Sequence, residues 1–171
     1  MIRPETPADK KAIEDVTLAA FTGLFSDNPT EHLVINALRE SDALTLSLVT
    51  EMDNRIVGHV AFSAVTIDDI DLDWYGLGPI SVLPEFQKQG IGSALIEEGL
   101  KQIRGMGAKG CVLLGSPDYY QRFGFRSYPD LVYEGAPSTE YFMALSFDGK
   151  VPNGRVKYHK AFYVQVKLGE L

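Results

Sequence analysis

The sequence predicts an α+β domain built around one mixed sheet. Two stretches near the N-terminus and one after residue 90 carry apolar residues at helical spacing. From Leu44 onward the apolar residues alternate with polar ones, as in half-buried strands. Clusters of glycine, proline, asparagine and aspartate separate these segments. The expected order is a strand, two helices, three strands, a helix, a strand, a short helix and further strands.

The first third of the chain is predicted to hold one short strand and two helices. Residues 1–4 form the expected strand, and Thr6 and Asp9 are candidate caps for the helix after it. The apolar face of this helix comprises Ile13, Val16, Ala20 and Phe21. A second helix is expected from about Pro29 to Arg39, after the turn sequence SDNP.

The middle of the chain predicts three consecutive strands. LTLSLVTE and IVGHVAFSAVTI flank the turn MDNR, which is typical of an antiparallel hairpin. The run DDIDLD is expected as a charged turn or strand edge, and WYGLGPISV as the third strand. Gly76, Gly78 and Pro79 interrupt that strand, so a bulge or splay is predicted near residues 78–80.

A long helix, a buried strand and a short helix are predicted next. The helix runs from about Ile91 to Met106, and AKGCVLLG is the short strand after it. SPDYYQRFGF predicts a helix with Ser116 as N-cap, Pro117 at its first position and Gly124 as its stop. The inward face of the long helix comprises Ile91, Leu95, Ile96, Leu100 and Ile103.

The tail is predicted to complete a single domain of residues 1–171. A strand pair is expected around VYEG and YFMALSF, and DGKVPNGRVKYH is a turn-rich connection into a final AFYVQVKL. Residues 148–171 are expected to form a C-terminal extension of the same domain.

Composition and charge narrow the function classes. The net charge is −7 and no lysine or arginine cluster occurs, so no nucleic-acid partner is expected. The longest apolar stretches are strand-sized and the N-terminus has no secretory pattern, so no membrane contact is expected. With Cys111 as its one cysteine, the chain cannot form an internal disulfide, which favours a reducing, cytoplasmic setting. A homodimer is left open.

The segment VLPEFQKQGIGSALIEEGL, residues 82–100, predicts an anion-binding turn between a strand and a helix. A helix N-terminus presents unpaired N–H groups and partial positive charge, which suit a pyrophosphate. Gly90 and Gly92 would keep side chains out of its way. The spacing matches neither the dinucleotide fingerprint nor the P-loop, and an ordinary strand-to-helix turn is the alternative.

ISVLPEFQKQGIGSALI, followed about thirty residues later by YYQRFGF, resembles the Gcn5-related N-acetyltransferase (GNAT) superfamily. GSPDYYQRFGF, YFMALSFDGK and YHKAF are similar to its YhbS-type branch. The resemblance implies the GNAT fold, with a mixed, mostly antiparallel central sheet, a splayed β4/β5 cleft and flanking helices. It implies an N-acetyltransferase that uses acetyl-CoA as donor and a primary amine of a small molecule or protein as acceptor.

The resemblance also implies the cofactor contacts. Backbone amides from Gln87 or Lys88 through Ser93 would hold the pyrophosphate, with Gln89, Gly90, Ile91 and Gly92 between them. Ile80 and Val82 would offer backbone groups to the thioester carbonyl and the pantetheine. The family asparagine has no counterpart here, and Ser116 is its candidate substitute, with helix capping as the alternative.

Tyr120 occupies the family position of the general acid, with packing as the alternative, and Tyr119 is expected to pack. Some family members carry a glutamate that acts as general base at the position of Gly76. Glycine has no side chain that could accept a proton. Asp73 is then the nearest candidate base, because Asp71, Asp73 and Tyr75 would share one strand face. The alternatives are a solvated strand edge, or an acceptor amine of low pKa that needs no base.

The remaining candidates are assigned to structure. A lone strand histidine such as His59 is more often structural, and Cys111 is expected in the core. His32 and His159 lack ligand spacing, so no metal is expected. The aromatic residues Phe21, Phe25, Trp74 and Tyr75 are expected either to line the acceptor site or to belong to the core, with core favoured for Phe21.

Two rival functions remain. One is an acyltransferase that uses a longer acyl-CoA as donor. The other is a non-catalytic acyl-CoA sensor, which the lack of a glutamate at Gly76 favours.

Overall fold

The computed structural model describes residues 1–24 and 26–163. Phe25 and residues 164–168 of the expected final segment therefore lie outside the described residues. The chain divides into two compact units. The first unit contains Met1–Phe62, Gly78–Gly99 and the segment from Lys160 onward, and the second contains Ser63–Leu77 and Leu100–His159.

Eight strands and four α-helices are described, joined by turns and short 3₁₀ helices. The strands are β1 Ile2–Pro4, β2 Leu46–Met52, β3 Arg55–Ile67, β4 Ile70–Val82, β5 Gly110–Leu114, β6 Leu131–Val132, β7 Phe142–Ser146 and β8 Gly154–Lys157. The helices are α1 Lys10–Phe21, α2 Glu31–Glu40, α3 Ile91–Gly105 and α4 Pro117–Tyr120.

The sheet is mixed and mostly antiparallel, as predicted. Its strand order is β1-β2-β3-β4-β5-β7, and β8 pairs with both β3 and β6. The β4–β5 and β6–β8 pairs are parallel, whereas β1–β2, β2–β3, β3–β8 and β5–β7 are antiparallel.

The first unit is built on the predicted β2–β3 hairpin. The two strands pair from Leu46↔Phe62 to Met52↔Arg55, and Asp53 and Asn54 turn between them with φ of 50° and 61°. These left-handed conformations suit a tight hairpin and are tolerated by aspartate and asparagine. The core on this hairpin comprises Ile13, Val16, Ile35, Val49, Ile56, Val57 and Leu83. Phe21, expected in the core, is half-buried.

The second unit contains the parallel contact between β4 and β5. Three residue pairs form it, Trp74↔Gly110, Tyr75↔Cys111 and Gly76↔Val112. Pairing stops there although β4 continues to Val82, and Gly78 follows at a φ of 141° with a cis peptide bond to Pro79. β4 itself is continuous, and its pairing with β5 ends just before residues 78–80, where a bulge or splay is predicted. Trp74, the second unit's largest apolar side chain, is only 2 % exposed and belongs to the core.

The tail differs from the prediction in its pairing. β7 pairs with β5, and β6 pairs with β8, so the two expected strands are not partners of each other. The connection predicted to be turns contains β8, where Val156 is buried and Arg155 exposed. Residues Lys160–Tyr163, where the final segment AFYVQVKL begins, form a 3₁₀ helix. Apolar alternation shows that a segment is extended, but it does not specify the partner strand.

Candidate active site

The predicted anion-binding turn lies in the first unit, between β4 and α3. After a 3₁₀ turn at Pro84–Phe86, the Gln87 side chain donates from Nε2 to the Val82 carbonyl at 3.0 Å. Gln89 Nε2 donates in the same way to the Glu85 carbonyl at 3.4 Å. Both glutamine side chains therefore brace the turn against the chain that leads into it.

The backbone of this turn has the conformation of an anion nest. Lys88 and Gly90 adopt left-handed φ values of 63° and 85° on either side of Gln89. A left-handed lysine is uncommon outside tight turns. Helical bonding resumes where the Ala94 N–H donates to the Gly90 carbonyl at 3.0 Å, so the helix N-terminus follows the turn directly. Successive amides in such a turn form a concave site for phosphate oxygens.

Gly58 sets the first turn of α3 close to strand β3 within the first unit. A Cβ atom at residue 58 would lie 3.0 Å from Ile91 Cγ2 and 3.1 Å from Leu95 Cδ1. Glycine thus allows the helix start, and the nest before it, to pack directly on the strand. Gly58 lies inside the predicted strand IVGHVAFSAVTI. A glycine there indicates that another part of the chain approaches the strand closely, but it does not show which part.

Tyr120 ends the short helix α4 in the second unit. Ser116 is its N-cap by position, and the Ser116 carbonyl accepts bonds from the N–H groups of Tyr119 and Tyr120 at 3.1 and 3.0 Å. The Ser116 hydroxyl makes no capping bond. Gly124, at a φ of 99°, stops the following 3₁₀ turn as predicted.

Aromatic rings surround the Tyr120 side chain. The ring of Tyr119 lies edge-on at 4.9 Å between centroids, Phe125 at 6.2 Å and Phe123 at 6.3 Å. Burial raises the pKa of Tyr120 to about 12, and the neighbouring Tyr119 adds to this shift. The phenol is therefore protonated at neutral pH and can donate a proton but not accept one. Tyr119 packs on its neighbours as expected, with the Arg122 guanidinium 4.5 Å above its ring.

Asp73 lies on the second unit's part of β4 and is exposed. Its backbone is left-handed, with a φ of 62°, and its N–H donates to Asp71 Oδ1 at 2.9 Å. The predicted regular alternation from Asp71 through Tyr75 is therefore broken at residue 73. Burial raises the pKa of Tyr75, with further contributions from the charges of Asp73 and Asp71.

Gly76 has no room for a side chain. A Cβ atom there would collide with the ring of Tyr158 at Cε1 and lie 3.0 Å from Cδ1 of the same ring and 3.3 Å from Val65 Cγ1. Tyr158 follows β8, which reaches this place by pairing with the end of β3. A carboxylate at residue 76 is thus absent from the sequence and also excluded by packing.

The structure places His59 and Cys111 in the core. His59 is 0 % exposed, its Nε2 lies 2.7 Å from Ser47 Oγ, and burial lowers its pKa to about 4. Cys111 is also fully buried, and burial raises the pKa of its thiol, so the thiolate needed for nucleophilic attack is disfavoured. Across residues 1–24 and 26–163 no cluster of three metal-ligand side chains occurs.

The expected site residues fall into two groups. Ile80, Val82 and the run Gln87–Ser93 belong to the first unit, and Asp73, Ser116 and Tyr120 to the second. Sequence reasoning missed Gly58, Gly115 and Tyr158, whose importance depends on contacts with residues distant in the chain or across a turn. In the part of the chain that the structure describes, no helix is long and apolar enough to cross a membrane.

The mixed sheet, with its parallel β4–β5 contact and flanking helices, is the fold of known GNAT acetyltransferase structures. Residues 44–127 match the family model described as "Acetyltransferase (GNAT) domain". The chain belongs to the GNAT family of N-acetyltransferases.

Particular relatives place it more closely within that family. The chain is 33% identical over 168 residues to "Uncharacterized N-acetyltransferase YhbS" of Escherichia coli K12, covering 95% of this chain and 98% of the relative. The crystal structure of the E. coli YhbS protein in complex with CoA has a TM-score of 0.87, covering 95% of this chain and 91% of that one. A GNAT family acetyltransferase from Brucella melitensis in complex with acetyl-CoA is 49% identical, with a TM-score of 0.85 and coverage of 95% and 97%.

Proposed function

We propose that this chain transfers the acetyl group of acetyl-CoA directly to a primary amine within a ternary complex. The observation that carries the proposal is the nest at Lys88 and Gly90, which opens onto the N-terminus of α3. The solved relatives at 33% and 49% identity hold CoA and acetyl-CoA, which supports the same donor here.

The residues that would hold acetyl-CoA fit its chemistry. Backbone amides from Gln87 or Lys88 through Ser93 would bind the pyrophosphate oxygens, and the exposed Lys88 ammonium adds charge. Ile80 and Val82 would offer backbone groups to the thioester and the pantetheine arm. The Val82 carbonyl accepts one bond from Gln87 and has a second lone pair for a further donor. Ser116, whose hydroxyl makes no capping bond, would add a polar contact.

The proposed general acid and general base both belong to the second unit. Tyr120 would protonate the departing CoA thiolate, since its phenol carries a proton at neutral pH, although its raised pKa makes it a weaker acid than an exposed tyrosine. Asp73, whose carboxylate is exposed beside Tyr75, would take a proton from the acceptor's ammonium group through water, and the resulting neutral amine would attack the thioester.

A non-catalytic acyl-CoA sensor is the second candidate. The packing of Tyr158 against Gly76 favours it, because the position where some relatives in the family carry a base is filled by a ring. The retained Tyr120, enclosed by aromatic rings, favours the enzyme.

The deciding experiment measures CoA release from acetyl-CoA by the purified protein with polyamines, amino acids, aminoglycosides and lysine peptides. Amine-dependent release is expected, and tight acetyl-CoA binding without release for every amine would favour the sensor. Tyr120→Phe should then lower kcat about 100-fold or more while leaving acetyl-CoA affinity unchanged.

The same assay tests the proposed base. Asp73→Asn should lower kcat/KM most strongly at acidic pH, where less of the amine is already neutral. A variant with the wild-type pH profile would remove Asp73 from the mechanism and leave the amine to lose its proton to solvent.

A further inference from the structure

Gly115 lies directly against the ring of Tyr120. A Cβ atom on Gly115 would collide with Tyr120 Cε2 and lie 2.6 Å from Cδ2, closer than a real Cβ contact allows. It would also lie 3.3 Å from Leu113 Cδ1. The ring of Tyr120 therefore rests on the Gly115 backbone, where no other residue type would leave the space.

The requirement for glycine at this position is one of space and not of backbone conformation. The left-handed glycines of the second unit are Gly107, Gly124, Gly149 and Gly154, and Gly115 is not among them. An alanine could adopt the same backbone. What it could not do is leave the Tyr120 ring in place.

Backbone hydrogen bonds at Gly115 and at the next residue fix this part of the chain. The Gly115 N–H donates to the Tyr141 carbonyl at 2.9 Å, continuing the β5–β7 ladder past the pair Leu114↔Phe142. The next residue, Ser116, accepts the two amide bonds that open α4. Because the chain at Gly115 is anchored, an added methyl group would displace the tyrosine ring, which can rotate about two side-chain torsions.

The ring in turn has little freedom on its other sides. Tyr119, Phe123 and Phe125 approach it at centroid distances of 4.9, 6.3 and 6.2 Å. The Gly115 backbone and these three rings thus enclose the Tyr120 ring and fix the position of its hydroxyl group.

We infer that Gly115 is a positioning residue for acetyl transfer, acting through Tyr120. This inference rests on the proposed function, in which Tyr120 is the general acid. A misplacement of a catalytic group by about 1 Å costs on the order of 100-fold in rate. Gly115→Ala should therefore lower kcat about 10- to 100-fold and change acetyl-CoA affinity much less, because the proposed pyrophosphate contacts are made by residues 87–93 and not by Gly115.

The test compares Gly115→Ala, Tyr120→Phe and the double variant for kcat and acetyl-CoA affinity. If Gly115 acts through Tyr120, adding Gly115→Ala to Tyr120→Phe changes kcat by less than about twofold, whereas independent effects would multiply. Gly135→Ala is the matched control, since a Cβ there would lie 2.6 Å from Tyr133 Cζ, another tyrosine ring over a glycine. That control should keep the wild-type kcat.

The outcomes separate the two proposals. A slow Tyr120→Phe variant beside a fully active Gly115→Ala variant, or multiplicative effects in the double variant, would overturn the positioning role alone. A fully active Tyr120→Phe variant would overturn the acid assignment itself. If Gly115→Ala does not fold, Gly115→Ala/Tyr120→Ala decides: recovery to the melting temperature of Tyr120→Ala supports the contact, and continued unfolding contradicts it.

Discussion

Replacing His59 by glutamine should flatten the acid dependence of stability while leaving catalysis intact. His59 is fully buried on β3, and its Nδ1 has no hydrogen-bond partner among the described residues. Ser47 contacts its Nε2 and also donates to Glu5, which pairs with Arg39 at 2.8 Å. A second proton on the imidazole would add a buried charge at a nitrogen that has no hydrogen-bond partner.

The magnitude follows from the pKa of His59. An unfolded histidine titrates near 6.5 and His59 at about 4, because burial disfavours its charged form. As the pH falls, the unfolded chain therefore binds this proton before the folded chain does. The contribution of His59 to the free energy of unfolding is fully present above pH 6.5 and declines between pH 6.5 and 4. Below pH 4 this group causes no further loss. At pH 4.5 the loss relative to pH 7.5 is on the order of 2 to 3 kcal/mol.

Urea unfolding of the wild type and His59→Gln at pH 7.5 and 4.5 measures this directly. Carboxylates such as Glu5 also titrate, but they do so in both proteins, so the difference between the two pH-dependent losses isolates His59. The wild type should lose on the order of 2 to 3 kcal/mol more than the variant. Equal losses would refute the buried neutral histidine, and a variant that folds but has lost kcat would return His59 to the catalytic candidates.

Two further substitutions test the nest and the packing over β4. Gly92→Arg should abolish CoA binding by calorimetry while the protein still melts cooperatively, because a long side chain would enter the nest; unchanged affinity would refute the pyrophosphate assignment. Gly76→Glu should cost about 3 kcal/mol or more in urea unfolding, since its side chain meets the ring of Tyr158 and buries a charge. Adding Tyr158→Ala should restore much of that loss, and a Gly76→Glu variant as stable as wild type would contradict the observed packing.

The elements that sequence reasoning predicted well are those specified by neighbouring residues. The α3 face from Leu95 to Ile103 repeats at helical spacing, and its members are buried as expected. The β2–β3 hairpin has its turn residues in place, and Gly124 ends its helix in the left-handed conformation that glycine favours. In these cases the local pattern and the tertiary environment demand the same structure.

The features that sequence reasoning missed depend on contacts between distant residues. The residues near Gly76 in the chain do not predict its contact with Tyr158. Tyr158 lies against Gly76 because β8 pairs with β3. GRVK is too short and too charged to suggest a strand without that partner. The left-handed Asp73 likewise breaks an alternation that its neighbours predict. A sequence pattern gives the face of an element, whereas the partner on that face is set by the whole fold.

The buried position of Cys111 has a practical consequence for measuring this enzyme. The chain has one cysteine, and in the folded state its thiol is inaccessible and resists ionisation. A disulfide reagent that reports free thiols will therefore count the CoA released in each turnover against almost no signal from the protein. Added after denaturant, the same reagent should find one thiol per chain, so a single colour reaction monitors both product and the fraction of molecules still folded.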